Sequence, residues 1–223
     1  EVSGAARYAR ALGVLRFTAE ERGELFHPDA VRSLTDADTL GKVTRWFDAP
    51  NVPEIVDRML FTDLMNRVPD HNLVMGDRMS MACSLEVRSP FVDPRVVEFA
   101  ASLPAGLKLK GRKLKYLLRR VAARYLPPDV VRLPKQGFGF PVGLWMRRDL
   151  KPLVEDRLGN SQLVAAGVFR PEPIARMVRE HMDGQVDHSY RLWLLLNLEI
   201  WHELYVEGLP VDAVRDRMQR LQH

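Results

Sequence analysis

Two short stretches carry side chains whose types and spacing suit chemistry. The first runs from Asp77 to Asp93 and reads DRMSMACSLEVRSPFVD. Read as a helix, it sets Asp77, Ser80 and Ser84 on one stripe at spacings of three and four. Met79, Ala82 and Cys83 then face another way, into packing. Pro90 disfavours continuation, so the helix is predicted to end near Leu85, with Glu86 and Arg88 at its C-terminal end. A carboxylate there opposes the helix dipole unless something compensates it. Either Glu86 is placed for a purpose, or it belongs to an ordinary exposed Glu–Arg pair. The second stretch, Arg132 to Pro141, holds two prolines and two glycines around Lys135. A lysine in such a constrained loop presents a point charge suited to a phosphate, and Gly137 and Gly139 let the backbone approach an anion. The competing reading is a surface loop that only turns the chain.

The elements that must position these residues are read from periodicity. Thr18 and Glu21 have the form of a capping box. Pro53 precedes a helical pattern of Ile55, Val56, Met59, Leu60 and Leu64. Asp93-Pro94 starts a helix expected to bury Val96, Phe99, Ala100 and Leu103. Leu114, Leu117, Leu118, Val121, Ala122, Tyr125 and Leu126 fall on one helical face, which Pro127-Pro128 ends. Ile174, Met177, Val178 and Met182 predict a further helix, and Val211, Val214, Met218 and Leu221 another. The stretch from Leu192 to Tyr205 is apolar almost all round, which predicts burial on most sides. Strand signals are nearly absent, and no repeat of fixed period exists. Gly159 to Pro173 reads as a loop and a subdomain boundary.

Bulk properties set limits on function. The chain has 223 residues, 46% hydrophobic and 28% charged, with a net charge of +4. That length supports a real core, and the composition excludes a disordered, collagenous or disulfide-rich class. Cys83 stands alone and cannot form an internal disulfide, which fits a reducing compartment. No signal peptide is evident, and Leu192 to Ile200 is too short and too interrupted to span a bilayer. A cytoplasmic protein with no membrane partner is therefore expected. The absence of an initial methionine suggests a piece of a longer protein.

The ordered motifs permit a family reading. DRMSMACSLEVRSPFVD, LPAGLKLKGRKLKYLLRR, LPPDVV, RLPKQGFGFP and RLWLLLNLEIW together resemble the second half of the synthetase domain of glutamine-hydrolysing asparagine synthetases. The resemblance runs from about Met59 to about Tyr205, and the first fifty residues match more loosely. It implies a mainly α fold, the C-terminal helical portion of an adenine-nucleotide α-hydrolase-like (PP-loop ATPase) synthetase domain. Residues 1–158 would be the helical half of that domain without its PP-loop, and 159–223 a C-terminal helical extension of it.

The implied activity is that of a ligase. ATP adenylates the side-chain carboxylate of aspartate, pyrophosphate leaves, and ammonia derived from glutamine converts the acyl-adenylate to asparagine. The resemblance gives Glu86 a place beside the acyl-adenylate and the incoming ammonia. It gives Lys135 contact with the ATP phosphates and the departing pyrophosphate. Asp77, Arg78, Ser80, Arg88, Gln136 and Gly137, in the same two motifs, are the further candidates for substrate or ATP contact. No metal ligand is assigned here. The whole protein would use ATP with Mg2+, aspartate and ammonia and would carry an N-terminal glutaminase domain, while this chain would hold no tightly bound cofactor.

Departures from the family pattern matter equally. The Ser-Gly-Gly-x-Asp-Ser loop and the Ser-Gly-Asp-Gly-Gly-Asp-Glu pattern are missing, and the first residue is Glu1, not the cysteine of a glutaminase. The chain alone is therefore expected neither to make adenylate nor to hydrolyse glutamine. Faces that pack on the family's parallel sheet would be exposed and would favour self-association, a homodimer among the outcomes. The same motifs would equally serve a β-lactam synthetase, a peptide cyclase or a sugar-amidating relative. The acid-free run Lys108, Lys110, Arg112, Lys113, Lys115, Arg119, Arg120 and Arg124 raises a remote alternative, a nucleic-acid-binding helix. It lacks interleaved exposed aromatics, and nucleic acid is not an expected partner. His181, on an apolar face, reads as a core or boundary residue and not as a ligand.

Overall fold

A computed structural model describes residues 3–12, 17–34, 41–49, 51–134, 136 and 139–220, without the side chains of Ser33, Leu34 and Lys42. Among these residues the fold is mainly α, as expected, with one antiparallel pair of two-residue strands that sets Leu109 opposite Leu114 and Lys110 opposite Lys113. The chain divides into two compact units, Glu1–Leu12 with Asp38–Gly137 and Gly13–Ala37 with Phe138–His223. The expected division at 158/159 is a different one. It falls at the end of the helix Lys151–Gly159, whose Leu153, Val154 and Leu158 belong to the core of the second unit.

In the first unit, the helices Gly4–Ala11, Gly41–Phe47 and Ile55–Met65 supply most of the buried side chains. Ala5, Ala9, Val43, Phe47 and Thr62 are buried. Phe47 packs beside Gly4, where an added Cβ would lie 3.4 Å from its ring, and the Tyr8 and Phe47 ring centroids lie 5.5 Å apart. Tyr8 donates its hydroxyl to the Met59 carbonyl at 3.3 Å. Burial, followed by the Asp63 carboxylate, pushes its phenol well above the usual range. Asp93 caps the helix Pro94–Ser102 as the Asp-Pro signal predicted, its side chain accepting from the Arg95 N–H at 2.9 Å.

The predicted burial in this unit fails in several places. Val96, Phe99 and Ala100 are exposed, as are Met79, Ala82 and Cys83. Cys83 is thus not a packing cysteine. The amphipathic pattern from Leu114 to Leu126 yields only the helix Tyr116–Ala122, with Leu118, Val121, Tyr125 and Leu126 exposed. Leu114 lies in the short hairpin, and Lys115 in left-handed conformation (φ 54°) delays the helix start.

The second unit has the larger core. Leu25, Met146, Leu153, Leu163, Phe169, Ile174, Leu192 and Leu196 are among its buried members. The capping box is present: Glu21 N–H donates to Thr18 Oγ1 at 3.1 Å, and Thr18 N–H to Glu21 Oε2 at 2.7 Å. That helix, Ala19–Leu25, is tied to the later chain through Phe26 and Phe169, whose rings meet edge-on at 4.9 Å. Arg170 adds bonds to the carbonyls of Phe26 and Gly23, at 3.2 and 2.7 Å. The predicted loop from Gly159 to Pro173 contains the short helix Gln162–Ala165, capped by Ser161. The helix Ser189–Tyr205 is buried along one side only. Leu192, Leu195, Leu196, Glu199 and Glu203 are covered, whereas Tyr190, Trp193, Leu194, Trp201 and Tyr205 are exposed. Apolar character all round does not mean coverage all round.

Candidate functional site

The helix carrying the first motif is Val74–Ala82, three residues shorter than predicted. A π-helical turn, Val68–Leu73, leads into it. Its end has a defined geometry. Leu85 N–H donates to the Ser80 carbonyl and Ser84 N–H to the Met81 carbonyl, both at 2.9 Å. Those two bonds, with Ser84 at φ 55°, form a Schellman termination in which serine occupies the left-handed position that usually suits glycine. Ser84 therefore leaves the predicted stripe. Asp77 and Ser80 remain on the helix, with the Ser80 hydroxyl donating to the Asp77 carbonyl at 3.1 Å.

The turn sends the next residues out as irregular chain. Glu86 is 67% exposed and pairs with Arg88, itself 86% exposed. An exposed pair of this kind contributes about 0–1 kcal/mol, too little to fix Glu86 in place. What presents Glu86 is the backbone turn two residues earlier. Asp77 and Arg78 are exposed and Ser80 is half-buried. Just beyond, Asp93 and Arg95 form a two-bond carboxylate–guanidinium pair at 3.0 and 2.9 Å, and Arg95 holds the Asp93 carboxyl below its usual range. Both residues line a cavity of about 590 Å³ with Pro90, Val96 and Phe99.

Lys135 and Gly137 lie outside the described residues, so the distance from Glu86 to the Lys135 ammonium does too. Gln136 is described and exposed. The approach to Lys135 is well held. Arg119 donates to the carbonyls of Val131 at 2.9 Å and Leu133 at 3.3 Å, tying the helix Tyr116–Ala122 to the chain two residues before Lys135. Reading from the residues counted Arg119 only as part of a basic run. Its spacing of 14 residues from Leu133 gives no local signal that its partners are backbone carbonyls. Other charges of that run also have partners, although Lys110 and Arg120 stay exposed. Lys108 pairs with Asp57 at 2.8 Å, and Lys110 and Arg120 sit over the Tyr116 ring at 5.0 and 5.9 Å.

Among the described residues no group of three or more His, Cys, Asp or Glu side chains could hold a metal ion. No step below is assigned to magnesium. None of the described helices is long and apolar enough to cross a membrane.

Comparison with known proteins agrees with the motifs. The family model described as asparagine synthase matches residues 4–203. A Mycobacterium bovis protein named "Putative asparagine synthetase (glutamine-hydrolyzing)" is 34% identical over 192 residues, 86% of this chain and 28% of that protein. Asparagine synthetase (glutamine-hydrolyzing) 1 of Bacillus subtilis is 30% identical over 152 residues, 68% of this chain and 24% of that protein. Asparagine synthetase (glutamine-hydrolyzing) 3 of the same organism is 40% identical over 62 residues, 28% of this chain and 10% of that protein. The chain thus spans about a quarter of the length of the first two of these relatives. No solved structure is a significant match.

Proposed function

The chain belongs to the asparagine synthase family, and from that premise we propose that it supplies the helical half of a domain that makes asparagine. In this reading ATP and the side-chain carboxylate of aspartate form an aspartyl-adenylate with release of pyrophosphate. The ammonia nitrogen then attacks the acyl carbon, AMP leaves, and the new amine loses a proton. Ammonia comes from glutamine through a glutaminase domain elsewhere in the protein. The observation that carries the proposal is the family match over residues 4–203, a span that includes both motifs.

Within that reaction Glu86 receives the proton or holds the cationic amine by its charge. Its exposed position past the Schellman turn leaves it open to a ligand. Lys135 offsets the charge that builds on the departing pyrophosphate, an interaction stronger in the transition state than before it. Arg119 positions the run leading to Lys135, while Asp77, Arg78, Ser80, Arg88, Gln136 and Gly137 stand as substrate contacts.

The test uses a protein carrying these residues within a whole synthetase domain. Lys135→Ala should slow aspartate-dependent ATP–pyrophosphate exchange by about 100-fold or more, the scale of losing one preorganised charge partner. Glu86→Gln should spare exchange and depress amide formation. Wild-type rates for both variants would end the proposal. The 223-residue chain by itself is expected to show neither exchange nor glutamine hydrolysis.

A further inference from the structure

The fold divides the basic run of the first unit into charges that the protein engages and charges that it leaves free. Between Glu98 and Asp129 the chain carries lysines and arginines but no acid. Lys108 is held by Asp57 and the Ala101 carbonyl, and Arg119 by the carbonyls of Val131 and Leu133. Lys110, Arg112, Lys113, Lys115 and Arg120 are exposed, and among the described residues no carboxylate pairs with any of them. Three of these free cations come together. The hairpin sets Lys110 directly opposite Lys113, where side chains share one face of the ladder. Arg120 reaches the same place from the helix Tyr116–Ala122. The Lys110 ammonium and the Arg120 guanidinium lie 5.0 and 5.9 Å from the centre of one ring, that of Tyr116.

Hydrogen bonding from Lys110, then the Lys110 charge, then hydrogen bonding from Arg120 hold the Tyr116 phenol below its ordinary pKa. Both cations therefore act at one hydroxyl. Like charges set directly opposite on a ladder repel, and a strand pair of two residues a side has little else to offset that. An anion of more than one charge removes the repulsion. Its shape follows from which cations are free. With Lys108 and Arg119 engaged within the protein, the free charges gather around one ring and do not run as a stripe along the helix. A strand of nucleic acid needs a stripe or groove that tracks its phosphates. A compact group of cations suits an anion whose charges sit on adjacent phosphorus centres.

We propose that Lys110, Lys113 and Arg120, gathered round Tyr116, bind the diphosphate group of a small anion, either free pyrophosphate or the phosphate tail of a nucleotide. Arg112 in the hairpin turn and Lys115 next to Tyr116 add to the attraction. The site is built wholly from the first unit and does not rest on the proposed roles of Glu86 and Lys135.

NMR titration of the 223-residue chain with inorganic pyrophosphate tests this, at about 0.15 M ionic strength held constant with sodium chloride. Resonances of Lys110, Lys113, Tyr116 and Arg120 should shift together and saturate, with a Kd at or below about 1 mM. Inorganic phosphate and sulfate, with one centre each, should bind at least about tenfold more weakly. Saturation should raise the Tyr116 phenol pKa, because the bound anion offsets the cations that lower it. ADP as tight as pyrophosphate would place the source in a nucleotide, and weaker ADP would place it in the free anion. These comparisons act on the unaltered protein, so they need no variant that has to refold. Lys110→Gln and Arg120→Gln should each weaken pyrophosphate by about tenfold, whereas Arg124→Gln, exposed but outside the cluster, should change it by less than about twofold. Phosphate or sulfate as tight as pyrophosphate would mean an adventitious ion only and would overturn the proposal. So would a titration that does not saturate, or equal losses in all three variants. A single-stranded oligonucleotide that binds more tightly than pyrophosphate and weakens in Arg124→Gln would overturn it in favour of a nucleic-acid surface.

Discussion

At the residue scale, His181 shows how burial turns an ambiguous side chain into a fixed structural part. Its side chain is fully buried. Nδ1 accepts from the His188 N–H at 3.2 Å, so Nε2 carries the proton and donates to the Gly143 carbonyl at 3.2 Å. One neutral ring thereby joins the start of the helix Val142–Arg147 to the end of the helix Pro171–Met182. Burial, followed by the Arg147 charge, holds the ring below its ordinary pKa, against a smaller opposing pull from Asp187. The unfolded chain therefore binds this proton more readily than the folded one. Stability from His181 is fully present above about pH 6.5 and falls as pH drops through that value toward the lowered folded pKa. The urea midpoint followed by Trp145, Trp193 and Trp201 should decline between pH 7.5 and 5.5. His181→Gln keeps an amide donor for Gly143 and does not titrate. It should lower the neutral-pH stability by about 1–3 kcal/mol, the cost of imperfectly satisfied buried groups, and should flatten that decline. An equally steep decline in the variant would assign the acid sensitivity to another group. The sequence made the buried character of His181 legible, because it shares a face with Ile174, Met177 and Val178. It could not give the two backbone partners, which lie 7 and 38 residues away.

At the scale of the element, helix beginnings were more legible than helix ends. Thr18 with Glu21 and Asp93 with Pro94 are local signals whose hydrogen bonds close within three residues, and both form as read. The end of Val74–Ala82 carries no glycine to announce it, so a count from Pro90 placed it too late. Ser84 adopts the left-handed conformation because the Ser80 and Met81 carbonyls gain donors there. For a non-glycine residue this conformation costs about 1 kcal/mol, and a β-branched side chain raises the cost. Ser84 is exposed, and an ordinary exposed site tolerates most substitutions within about 0.5 kcal/mol. Ser84→Val should instead open the turn by a further ~1–2 kcal/mol, while Ser84→Gly should keep it. Hydrogen exchange at the Leu85 amide, which is bonded to Ser80, reads this directly. The valine variant should exchange about tenfold faster, since 1.4 kcal/mol is a factor of ten. Equal Leu85 protection in the two variants would show that the termination does not depend on the left-handed residue. If it does, the placement of Glu86 is set by a backbone conformation and not by its pair with Arg88.

For the whole molecule, periodicity shows which faces are apolar but not which are covered. Ile174, Met177 and Val214 were read from spacing and are buried in the second unit. Val96, Phe99, Leu118 and Val121 have equally good spacing and are exposed in the first. The helices Val74–Ala82, Pro94–Ser102 and Tyr116–Ala122 contain no buried residue, whereas Ser189–Tyr205 contains six. Local stability follows such burial, because an amide opens easily where few apolar contacts are lost. Amides of Leu192 to Leu196 and Ile174 to Met177 should therefore exchange at least about 100-fold more slowly than those of the three uncovered helices, a gap of roughly 3 kcal/mol. Exchange mass spectrometry at two protein concentrations distinguishes the causes of any failure. Strong protection of Val74–Ala82 that disappears on dilution would mean that a second copy covers the apolar surface of Met75, Met79 and Met81. Strong protection that survives dilution would mean that this helix packs within its own chain, contrary to the exposure of those methionines. Fast exchange at both concentrations is the expected result, and it would place the Glu86 turn on a segment of low intrinsic stability, of the kind from which binding elements are commonly drawn.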